Sequence, residues 1–338
     1  MSIEISPLIK EKAPLILAEI QKAKSILLHC HPNPDPDSVC SVLAMKSALE
    51  QLSKKATVIR GDSEMPAAFM HFPGAKGILM KSFWDIDPAQ YDLFIIIDSA
   101  MSGVSRTKEV TLPDTMMVIN IDHHQTNTGS GMIDIIDPSY PAAAQLLFDI
   151  FKEMNITITP DIAANLFMGI YTDTGGFKYG GTTPATFKVA AELAAIYPGF
   201  PQLISGMENS NTLGDMTFSG LALSALETVC DNSVLLSVVP YLRIQEKKIP
   251  DVSISAGSMS SILRTVGAYN IVGALIEARP NKIKISFRSN NSDVYDVSKL
   301  AVALGGGGHK AAAGAGIDMS LEDAKKLVVE KAKELYNL

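Results

Sequence analysis

The sequence predicts an α/β protein of two domains, the first with a mostly parallel sheet flanked by helices and the second a smaller α/β domain. Two observations predict this class. The chain has 338 residues, more than one ordinary domain needs, and 47% of them are hydrophobic, which is ample material for two cores. In the first half, short apolar runs alternate with amphipathic helical stretches, which is typical of a parallel sheet covered by helices.

This reasoning assigns four strands and four helices to the first half. The predicted strands are the short apolar runs Ser25–His29, Ala56–Arg60, Leu93–Ile97 and Met116–Ile121. The predicted helices are Ser38–Leu52, Pro141–Met154, Pro160–Tyr171 and Thr183–Ile196. Asp37 is predicted to cap the first of these helices, and proline stands near the start of the other three, where a first helical turn tolerates it.

Between Tyr197 and Gly214 the pattern loosens into proline, glycine, asparagine and serine, which predicts a domain boundary. We therefore expect a first domain over 1–196, a linker with a connecting helix over 197–229, and a second domain over 230–338. The connecting helix is predicted from about Asp215 to Val229. Further strands are predicted at Ser233–Val239, Ile271–Ala278 and Lys282–Arg288, and further helices at Ser260–Tyr269, Asp296–Leu304 and Leu321–Leu335, the last with a capping box of Ser320 and Asp323.

The charge balance limits the partners that we expect. The net charge is −7, whereas a protein that binds long nucleic acid normally presents a basic surface. A phosphate-bearing substrate is therefore expected to be small, and no long duplex is expected. No apolar run is long enough to span a membrane, and the segment 1–12 does not resemble a secretory signal, so a cytoplasmic protein is predicted. Cys30, Cys40 and Cys230 lack zinc-binding spacing and are predicted to be reduced and without a chemical role.

Four segments carry Asp or His residues at the predicted ends of strands, or in the turns that follow. Open α/β sheets place their ligand crevice at the carboxyl ends of the strands. The first segment runs from His31 to Asp37, and its three prolines stiffen a backbone that carries one imidazole and two carboxylates. The other three segments are Asp98 after Leu93–Ile97, Asp122-His123-His124 after Met116–Ile121, and Asp173 where a helix runs into glycines.

Taken alone, several of these residues have a structural explanation, such as a helix cap for Asp37 or a solvated turn for Asp173. Their joint occurrence with three of the six histidines favours a metal site. Aspartates gathered in one crevice need compensating charge, which two divalent cations would supply. The ligand types suit Mn²⁺ and leave Mg²⁺, Fe²⁺ and Zn²⁺ open, and such a pair of ions would promote phosphoryl displacement by water. The predicted metal ligands are His31, Asp35, Asp37, Asp98, His123 and Asp173.

The second half contributes a run of four glycines, Gly305–Gly308, followed by His309 and Lys310. Successive glycines let backbone N–H groups approach an anion. A flexible turn before a small-residue strand is the structural alternative, and it stays open. Arg288, at the end of a predicted strand, would suit bidentate binding of a phosphate. The predicted substrate clamp therefore consists of Arg288, Gly306, Gly307, Gly308, His309 and Lys310.

These motifs together resemble a known family. The set formed by His31, Asp35, Asp37, Asp98, Asp122-His123-His124 and Asp173 resembles the four motifs of the DHH phosphoesterase superfamily. The run Gly305–His309 resembles the signature of its DHH-associated C-terminal domain, so the resemblance covers the chain from about residue 25 to 316. Length and plan most resemble the branch of oligoribonucleases (nanoRNases) and 3′-phosphoadenosine-5′-phosphate (pAp) phosphatases. Two departures, Cys40 in place of a common glycine and one extra glycine in the run, bear on substrate preference rather than on the ligands.

The resemblance implies a role for each residue. One ion would be held by His31 and Asp35, the other by Asp37, His123 and Asp173, and Asp98 would bridge the two. Asp122 would orient the neighbouring imidazole or backbone. His124 would face the substrate phosphate as a hydrogen-bond donor or leaving-group acid, with Asn33 as a further contact. Arg288 and the glycine run with His309 would grip the substrate from the second domain, which places the active site in the cleft between the domains.

Residues and resemblance together predict a divalent-metal-dependent phosphoesterase that hydrolyses short oligonucleotides, pAp or both. An inorganic pyrophosphatase or exopolyphosphatase shares the first domain, but the glycine run argues against the pyrophosphatase branch. A processive single-strand exonuclease is disfavoured because the chain has no basic excess. From a different class, a non-catalytic nucleotide-binding regulator would keep the fold, but the complete ligand set argues against it. The preferred substrate, the metal, the cleavage polarity and the oligomeric state, including a homodimer, stay open.

Overall fold

A computed structural model describes residues 5–105 and 107–338, so the first four residues of the segment 1–12 lie outside the described residues. The chain divides into two compact units, which we call unit 1 (Met1–Ser210) and unit 2 (Asn211–Leu338). No helix within the described residues has the length and apolarity needed to cross a membrane. The three cysteines Cys30, Cys40 and Cys230 are buried and form no disulfide.

Unit 1 is built on a sheet of five parallel strands. These are β1 (Ile26–His29), β2 (Ala56–Ile59), β3 (Leu93–Ile97), β4 (Met117–Asp122) and β5 (Ile133–Ile136). Their order is β2-β1-β3-β4-β5, and every neighbouring pair is parallel. The predicted parallel sheet and its first four strands are confirmed. The edge strand β5 was missed because only Ile133 and Ile135 of its four residues are buried, a pattern too short to distinguish from a turn.

Helices cover one face of this sheet. They are α1 (Pro7–Lys22), α2 (Pro36–Gln51), α3 (Ala143–Glu153), α4 (Pro160–Asp173), α5 (Pro184–Ile196) and α6 (Phe200–Glu208). The four helices predicted here are confirmed to within two residues at each end, whereas α1 and α6 were not predicted. The other face carries a smaller apolar cluster that includes Leu27, Phe83 and Phe94. Short 3₁₀ helices lie between β2 and β3 and directly after β3, at Ala67–His71, Ala75–Gly77, Phe83–Asp85, Pro88–Gln90 and Met101–Gly103.

The predicted role of Asp37 as the cap of α2 is wrong. The N-cap is Asp35, whose side chain accepts a hydrogen bond from Ser38 N at 2.9 Å. Asp37 lies in the first turn of α2, where it is buried and accepts hydrogen bonds from Ala143 N at 2.7 Å and Ala144 N at 3.0 Å. Helix α3 has no side-chain cap of its own. Asp37 therefore satisfies the free N–H groups at the start of α3, a helix more than a hundred residues away in the sequence.

Unit 2 is a mixed six-stranded sheet with helices on both faces. Its elements are α7 (Leu213–Leu223), β6 (Leu226–Val229), β7 (Val234–Val239), α8 (Tyr241–Glu246), a 3₁₀ helix (Asp251–Ser253), α9 (Ala256–Leu263), β8 (Ile271–Arg279), β9 (Lys282–Ser289), α10 (Val297–Ala303), β10 (Gly307–His309), β11 (Ala312–Asp318) and α11 (Leu321–Tyr336). The strand order is β10-β11-β9-β8-β7-β6, and only β7 and β8 run parallel. A core with α10 and α11 packs on one face, and a core with α7, α8 and α9 packs on the other.

Two predicted helices of unit 2 have the wrong bounds. The helix predicted over Asp215–Val229 ends at Leu223, and its last residues form β6 instead. The reason is tertiary pairing, because β6 forms an antiparallel ladder with β7 through the left-handed turn Cys230–Asn232. The helix predicted over Ser260–Tyr269 is α9, which begins earlier because Ser255 caps it by accepting a hydrogen bond from Ser258 N, and which ends earlier, at Leu263.

The glycine run, for which the sequence left a flexible turn open, begins in a turn with Gly305 left-handed at a φ of +78° and continues as an edge strand. Gly307, Gly308 and His309 form β10 and pair with β11, with His309 opposite Ala312. A side chain could not replace Gly306, since its Cβ would lie 2.1 Å from Gly314 O. The glycines therefore allow two backbones to approach closely, which is a structural reason for this composition in addition to any role in binding.

Candidate metal centre

Eight Asp and His side chains converge in unit 1 at the positions that follow β1, β3, β4 and α4. Three groups of them have ligand atoms that lie within 4.8 Å of one another. The first group is His31, Asp35 and Asp98, the second is Asp37, His123 and Asp173, and the third is Asp98, Asp122, His123 and His124. The structure thus brings together all six residues that the sequence offered as metal ligands. The cluster of carboxylates and imidazoles is suited to a divalent metal.

Asp98 lies at the centre of this cluster. It follows the last residue of β3 in a left-handed conformation, with a φ of +59°, that aspartate tolerates better than most residues. Its backbone N–H donates to Ile121 O of β4 at 2.9 Å, which fixes the turn. The buried carboxylate has Oδ2 3.4 Å from His31 Nε2 and Oδ1 3.3 Å from His123 Nε2. The two oxygens of Asp98 therefore face different imidazoles.

The two imidazoles present the same nitrogen to the carboxylates. His31 Nδ1 lies 3.1 Å from Pro32 O, and His123 Nδ1 lies 3.2 Å from Tyr140 O. Because a carbonyl oxygen can only accept, both Nδ1 atoms carry protons and both Nε2 atoms face the acidic groups. His123 Nε2 lies 3.3 Å from Asp173 Oδ2 and 4.0 Å from Asp37 Oδ2. Each Nε2 must therefore hold either a second proton or a metal ion.

A buried acceptor in the centre supports the metal. Asp98 Oδ1 is buried, and no hydrogen bond of good geometry reaches it within the described residues, although His123 Nε2 lies 3.3 Å away. A buried carboxylate oxygen without a good hydrogen bond is unfavourable by about 1–3 kcal/mol or more unless a cation compensates for it. The orphaned oxygen, the two inward Nε2 atoms and the surrounding carboxylates together fit divalent cations.

Proton affinities within the cluster show how strongly the groups interact. Burial disfavours a charged His31, but its contacts with Asp35 and Asp98 raise the pKa of His31 to about 11. In the same way, Asp98 and the other carboxylates outweigh burial and raise the pKa of His123 to about 10. Burial alone would raise the pKa of Asp98, yet the two imidazoles hold that pKa well below its usual range. Without metal, protons on the imidazoles balance the charge of the carboxylates.

The remaining carboxylates of the cluster repel one another. Burial, followed by the charges of Asp98 and Asp173, raises the pKa of Asp37 well above its usual value. Burial and the charges of Asp98 and Asp35 raise the pKa of Asp173 to about 6, against the opposing effect of His123. The Asp37 carboxylate lies against α4 at Gly169, where an added Cβ would come within 2.5 Å of Asp37 Oδ1. Packing thus holds the acidic groups together although their charges disfavour it.

Asp122 organises the turn that carries both histidines. Its Oδ1 accepts hydrogen bonds from His123 N at 2.7 Å, His124 N at 3.1 Å and His124 Nδ1 at 2.7 Å. This last hydrogen bond, to Asp122, raises the pKa of His124. Asp122 therefore fixes the orientation of the His124 ring, as the resemblance implied for the neighbouring imidazole.

Two asparagines that the sequence reasoning missed support this turn. Asn127 Nδ2 donates to Asp122 Oδ2 at 2.7 Å and to Asn120 Oδ1 at 2.9 Å. Asn120 is fully buried, and its Nδ2 donates at 2.6 Å to the carbonyl oxygen of Ser99, the residue after Asp98. A hydrogen-bond chain thus joins the turn after β4 to the turn after β3. An asparagine inside the apolar run of β4 was the signal that could have found it.

Asn33, predicted as a substrate contact, lies on the exposed loop after β1. Its backbone is left-handed, with a φ of +56°. Its N–H donates to Ser63 Oγ at 2.9 Å, and its Oδ1 accepts from the same hydroxyl at 2.7 Å. These bonds give Asn33 a structural role in the loop, and its contact with substrate stays a prediction.

The predicted clamp residues lie together in unit 2. Arg288 of β9 pairs with Ala312 of β11, and Ala312 pairs with His309 of β10. Cross-strand partners project from the same face, so Arg288 and His309 share one face two strands apart, or about 10 Å. Arg288 Nη1 donates to Ser286 Oγ at 3.1 Å and to Phe287 O at 3.0 Å. The clamp is therefore a local feature of unit 2, and its role and the predicted cleft stay predictions.

Comparison with known proteins decides the family. The profile of the N-terminal domain of the DHH family matches residues 25–170, and that of the DHHA1 domain matches residues 234–337. The bifunctional oligoribonuclease and PAP phosphatase NrnA of Thermus thermophilus is 30% identical over 322 residues, which cover 94% of this chain and 93% of that protein. The chain belongs to the DHH family. Membership confirms the resemblance found in the motifs, and with it the prediction of a hydrolase that acts on phosphoester bonds.

Other DHH proteins agree with this assignment. The bifunctional oligoribonuclease and PAP phosphatase NrnA of Bacillus subtilis is 24% identical over 326 residues, which cover 93% of this chain and 96% of that protein. An exopolyphosphatase-related protein from Bacteroides fragilis superposes with a TM-score of 0.89 over the whole of both chains at 22% identity. At that identity the superposition shows a shared fold, which confirms the predicted α/β class for the whole chain.

Proposed function

We propose that this chain is a divalent-metal-dependent phosphoesterase that hydrolyses short oligonucleotides, pAp or both. One observation carries the proposal: the buried Asp98 carboxylate lies between the Nε2 atoms of His31 and His123, at 3.4 and 3.3 Å, and no hydrogen bond of good geometry reaches Oδ1 among the described residues. The substrate class is supported by the similarity to the NrnA proteins of Thermus thermophilus and Bacillus subtilis, which act on oligoribonucleotides and PAP by their names.

The proposed site holds two ions, most readily Mn²⁺. His31 and Asp35 would hold one ion, while Asp37, His123 and Asp173 would hold the other, in agreement with two of the clusters of ligand atoms. Asp98 belongs to the first cluster and also lies beside His123, so it would be shared. Carboxylate oxygens with some imidazole suit Mn²⁺, and Mg²⁺, Fe²⁺ and Zn²⁺ are the alternatives to test.

Bound divalent cations would polarise the phosphoryl group and make water a stronger nucleophile. Hydrogen bonds within the chain orient His124, the proposed proton donor. Asp122 accepts from His124 Nδ1, so His124 Nε2 is the atom that can donate a proton to the oxygen of the leaving group. The same bond raises the pKa of His124, which favours the protonated form that a general acid requires. Asn127 and Asn120 hold Asp122 in place.

Unit 2 is proposed to bind the substrate through Arg288 and the strand Gly307–His309. A guanidinium and an imidazole on one sheet face, together with the glycine backbone of the edge strand β10, present donors that match a phosphate. Such local donors would serve a small substrate. The net charge of −7 disfavours binding of long nucleic acid, which depends on many phosphate contacts.

The test is metal-dependent release of mononucleotides from a labelled ribodinucleotide, with pAp, pyrophosphate and polyphosphate as parallel substrates. We expect turnover of the dinucleotide, pAp or both after addition of Mn²⁺ to chelator-treated protein, and none with chelator. His71→Ala is a matched control, since His71 is an exposed histidine in the same unit. Hydrolysis of only pyrophosphate or polyphosphate would refute the substrate class, and no hydrolysis with any divalent ion would refute the enzyme.

A further inference from the structure

The loop after Asp173 adopts a strained backbone. Gly175, Gly176 and Phe177 are left-handed in succession, with φ values of +60°, +68° and +64°. Glycine adopts this conformation freely, but for phenylalanine it is unfavourable by about 1–2 kcal/mol. Strain of this kind persists only where the surrounding structure enforces it, and it is concentrated at functional sites. The loop therefore holds a particular shape directly beside the metal centre.

Aromatic packing around Phe177 and hydrogen bonds to Thr174 enforce the shape of this loop. The Phe177 ring contacts Phe187 at 5.2 Å, Tyr171 at 5.9 Å and Phe167 at 6.4 Å between centroids. Thr174, which is buried, accepts hydrogen bonds from the backbone of the residues that follow: from Phe177 N at Oγ1, and from Lys178 N and Tyr179 N at its carbonyl oxygen. The next aromatic residue, Tyr179, is thereby fixed relative to the end of α4.

Tyr179 presents an aromatic ring at this place. Tyr179 is 49% exposed. Its ring atoms lie 2.4–2.6 Å from the point that a Cβ of Gly175 would occupy, so the ring lies directly over a glycine backbone. Gly175 is two residues from Asp173, a distance of about 7 Å at most along the chain. The Asp173 carboxylate itself lies 3.3 Å from His123 Nε2.

We propose that Tyr179 is the stacking platform for a nucleobase, namely the base of the nucleotide whose phosphoester is cleaved at the metal centre. The proposal rests on the proposed function and names its base-binding subsite. A half-exposed ring beside a phosphoester site matches an unpaired base, which offers a flat face. Stacking needs no positive charge, in keeping with an acidic chain, and tolerates all four bases. Because a base paired in a duplex cannot reach such a platform, the subsite selects free ends and short single strands.

The experiment compares Tyr179→Ala, Tyr179→Leu, Tyr179→Phe and Tyr179→Trp in the full chain with Mn²⁺. Steady-state hydrolysis is measured on a dinucleotide and on the same compound without the base next to the cleaved bond. Stacking on an aromatic side chain corresponds to about 5- to 150-fold in affinity. We expect KM for the dinucleotide to rise at least about fivefold in the Ala and Leu variants and to return to within about twofold of the parent in the Phe and Trp variants. Tyr91→Leu, at the opposite end of β3, is the matched control and should leave KM unchanged.

Two further readouts separate stacking from a structural role. The abasic compound should have the same raised KM in the parent protein and in Tyr179→Ala, because both lack one partner of the stack. The Mn²⁺ concentration for half-maximal rate should be equal in all variants. An unchanged KM in Tyr179→Ala, or equal losses on the normal and abasic compounds, would overturn the platform. So would a shift in the Mn²⁺ requirement that the Phe variant does not restore.

Failure of the proposed function is distinguished by binding. A dinucleotide whose scissile oxygen is replaced by a methylene group is titrated into the parent and Tyr179→Ala proteins. If the parent hydrolyses no nucleotide but binds this compound at least about fivefold more tightly than the variant, the base-stacking role of Tyr179 is supported and the proposed hydrolase activity is refuted. If the parent hydrolyses the dinucleotide and both proteins bind the analogue equally, the hydrolase activity is supported and the base-stacking role of Tyr179 is refuted.

Discussion

Loading the metal-free protein with Mn²⁺ should release protons from two identified histidines. Neighbouring carboxylates raise the pKa of His31 to about 11 and that of His123 to about 10, so both rings are protonated at neutral pH when no metal is bound. Each Nδ1 proton is held by a backbone carbonyl, and the second proton therefore sits on the Nε2 that faces the carboxylates. An ion that takes this position must displace that proton.

The displaced Nε2 protons make both the Mn²⁺ affinity and the stability of the protein depend on pH. One proton released per ion makes the apparent affinity about tenfold tighter for each pH unit, or about 100-fold between pH 6 and 8. In the metal-free protein both histidines have pKa values above the unfolded value of about 6.5. Their contribution to stability is therefore fully present below pH 6.5 and is lost as the pH rises towards about 10 and 11. Mn²⁺ should accordingly raise the melting temperature more at pH 8 than at pH 6.

Titration calorimetry in two buffers of different ionisation enthalpy counts the released protons. We expect at least two for the fully loaded protein at pH 7.5, and about one fewer for either His31→Gln or His123→Gln. His71→Gln should release as many as the parent, since His71 lies on a separate, exposed 3₁₀ helix. A heat that is independent of the buffer, or an affinity that does not change between pH 6 and 8, would refute the assignment of Nε2 as the metal-facing atom.

Three substitutions test the site and its support. Asp98→Asn should lower kcat more than about 100-fold while the melting temperature is kept, because asparagine tolerates the φ of +59° but cannot supply the shared charge; circular dichroism and rate measurements decide it, and a rate near normal would contradict the role. Gly169→Ala should destabilise the protein by about 1–3 kcal/mol in urea unfolding, since the added Cβ would lie 2.5 Å from Asp37 Oδ1 and 2.6 Å from Ala144 Cβ; an unchanged midpoint would show that α4 can shift. Arg288→Lys should raise KM for pAp about tenfold with little change in kcat, because lysine cannot bind phosphate in a bidentate manner; an equal KM would remove Arg288 from the clamp.

The sequence predicted the central sheet because its strands are buried on both faces. All five residues of β3 are buried apolar residues, and such a run is hard to misread. The edge strands β5, β6 and β10 were missed because each has only three or four residues, too few to show a periodic pattern. Propensity could not reveal β6, because its residues continue the helical pattern of α7. Pairing with β7 overrides that helical preference.

The metal centre was predictable because the carboxyl ends of parallel strands lie at one edge of the sheet. The Asp and His residues that follow those strands therefore indicated a cluster. What the sequence could not show is that these aspartates also hold the fold together. Asp37 caps α3, Asp98 bonds β4 through its backbone, and Asp122 closes the turn of both histidines. These roles depend on three-dimensional neighbours such as Ala143, which no local pattern links to Asp37.

The aspartates that hold the fold together are also fixed in position as proposed metal ligands. A carboxylate that also caps a helix cannot swing away from its neighbours, so Asp37 is held in place by two backbone N–H groups before any ion arrives. Asp98 is fixed by its left-handed turn, and His31 and His123 by carbonyl oxygens. The free energy needed to bring like charges together is therefore provided by folding, and bound cations can be held without rearrangement of these ligands. Asp173, whose side chain is 33% exposed, is the proposed ligand with the most freedom to adjust, since Asp35 is held as the N-cap of α2.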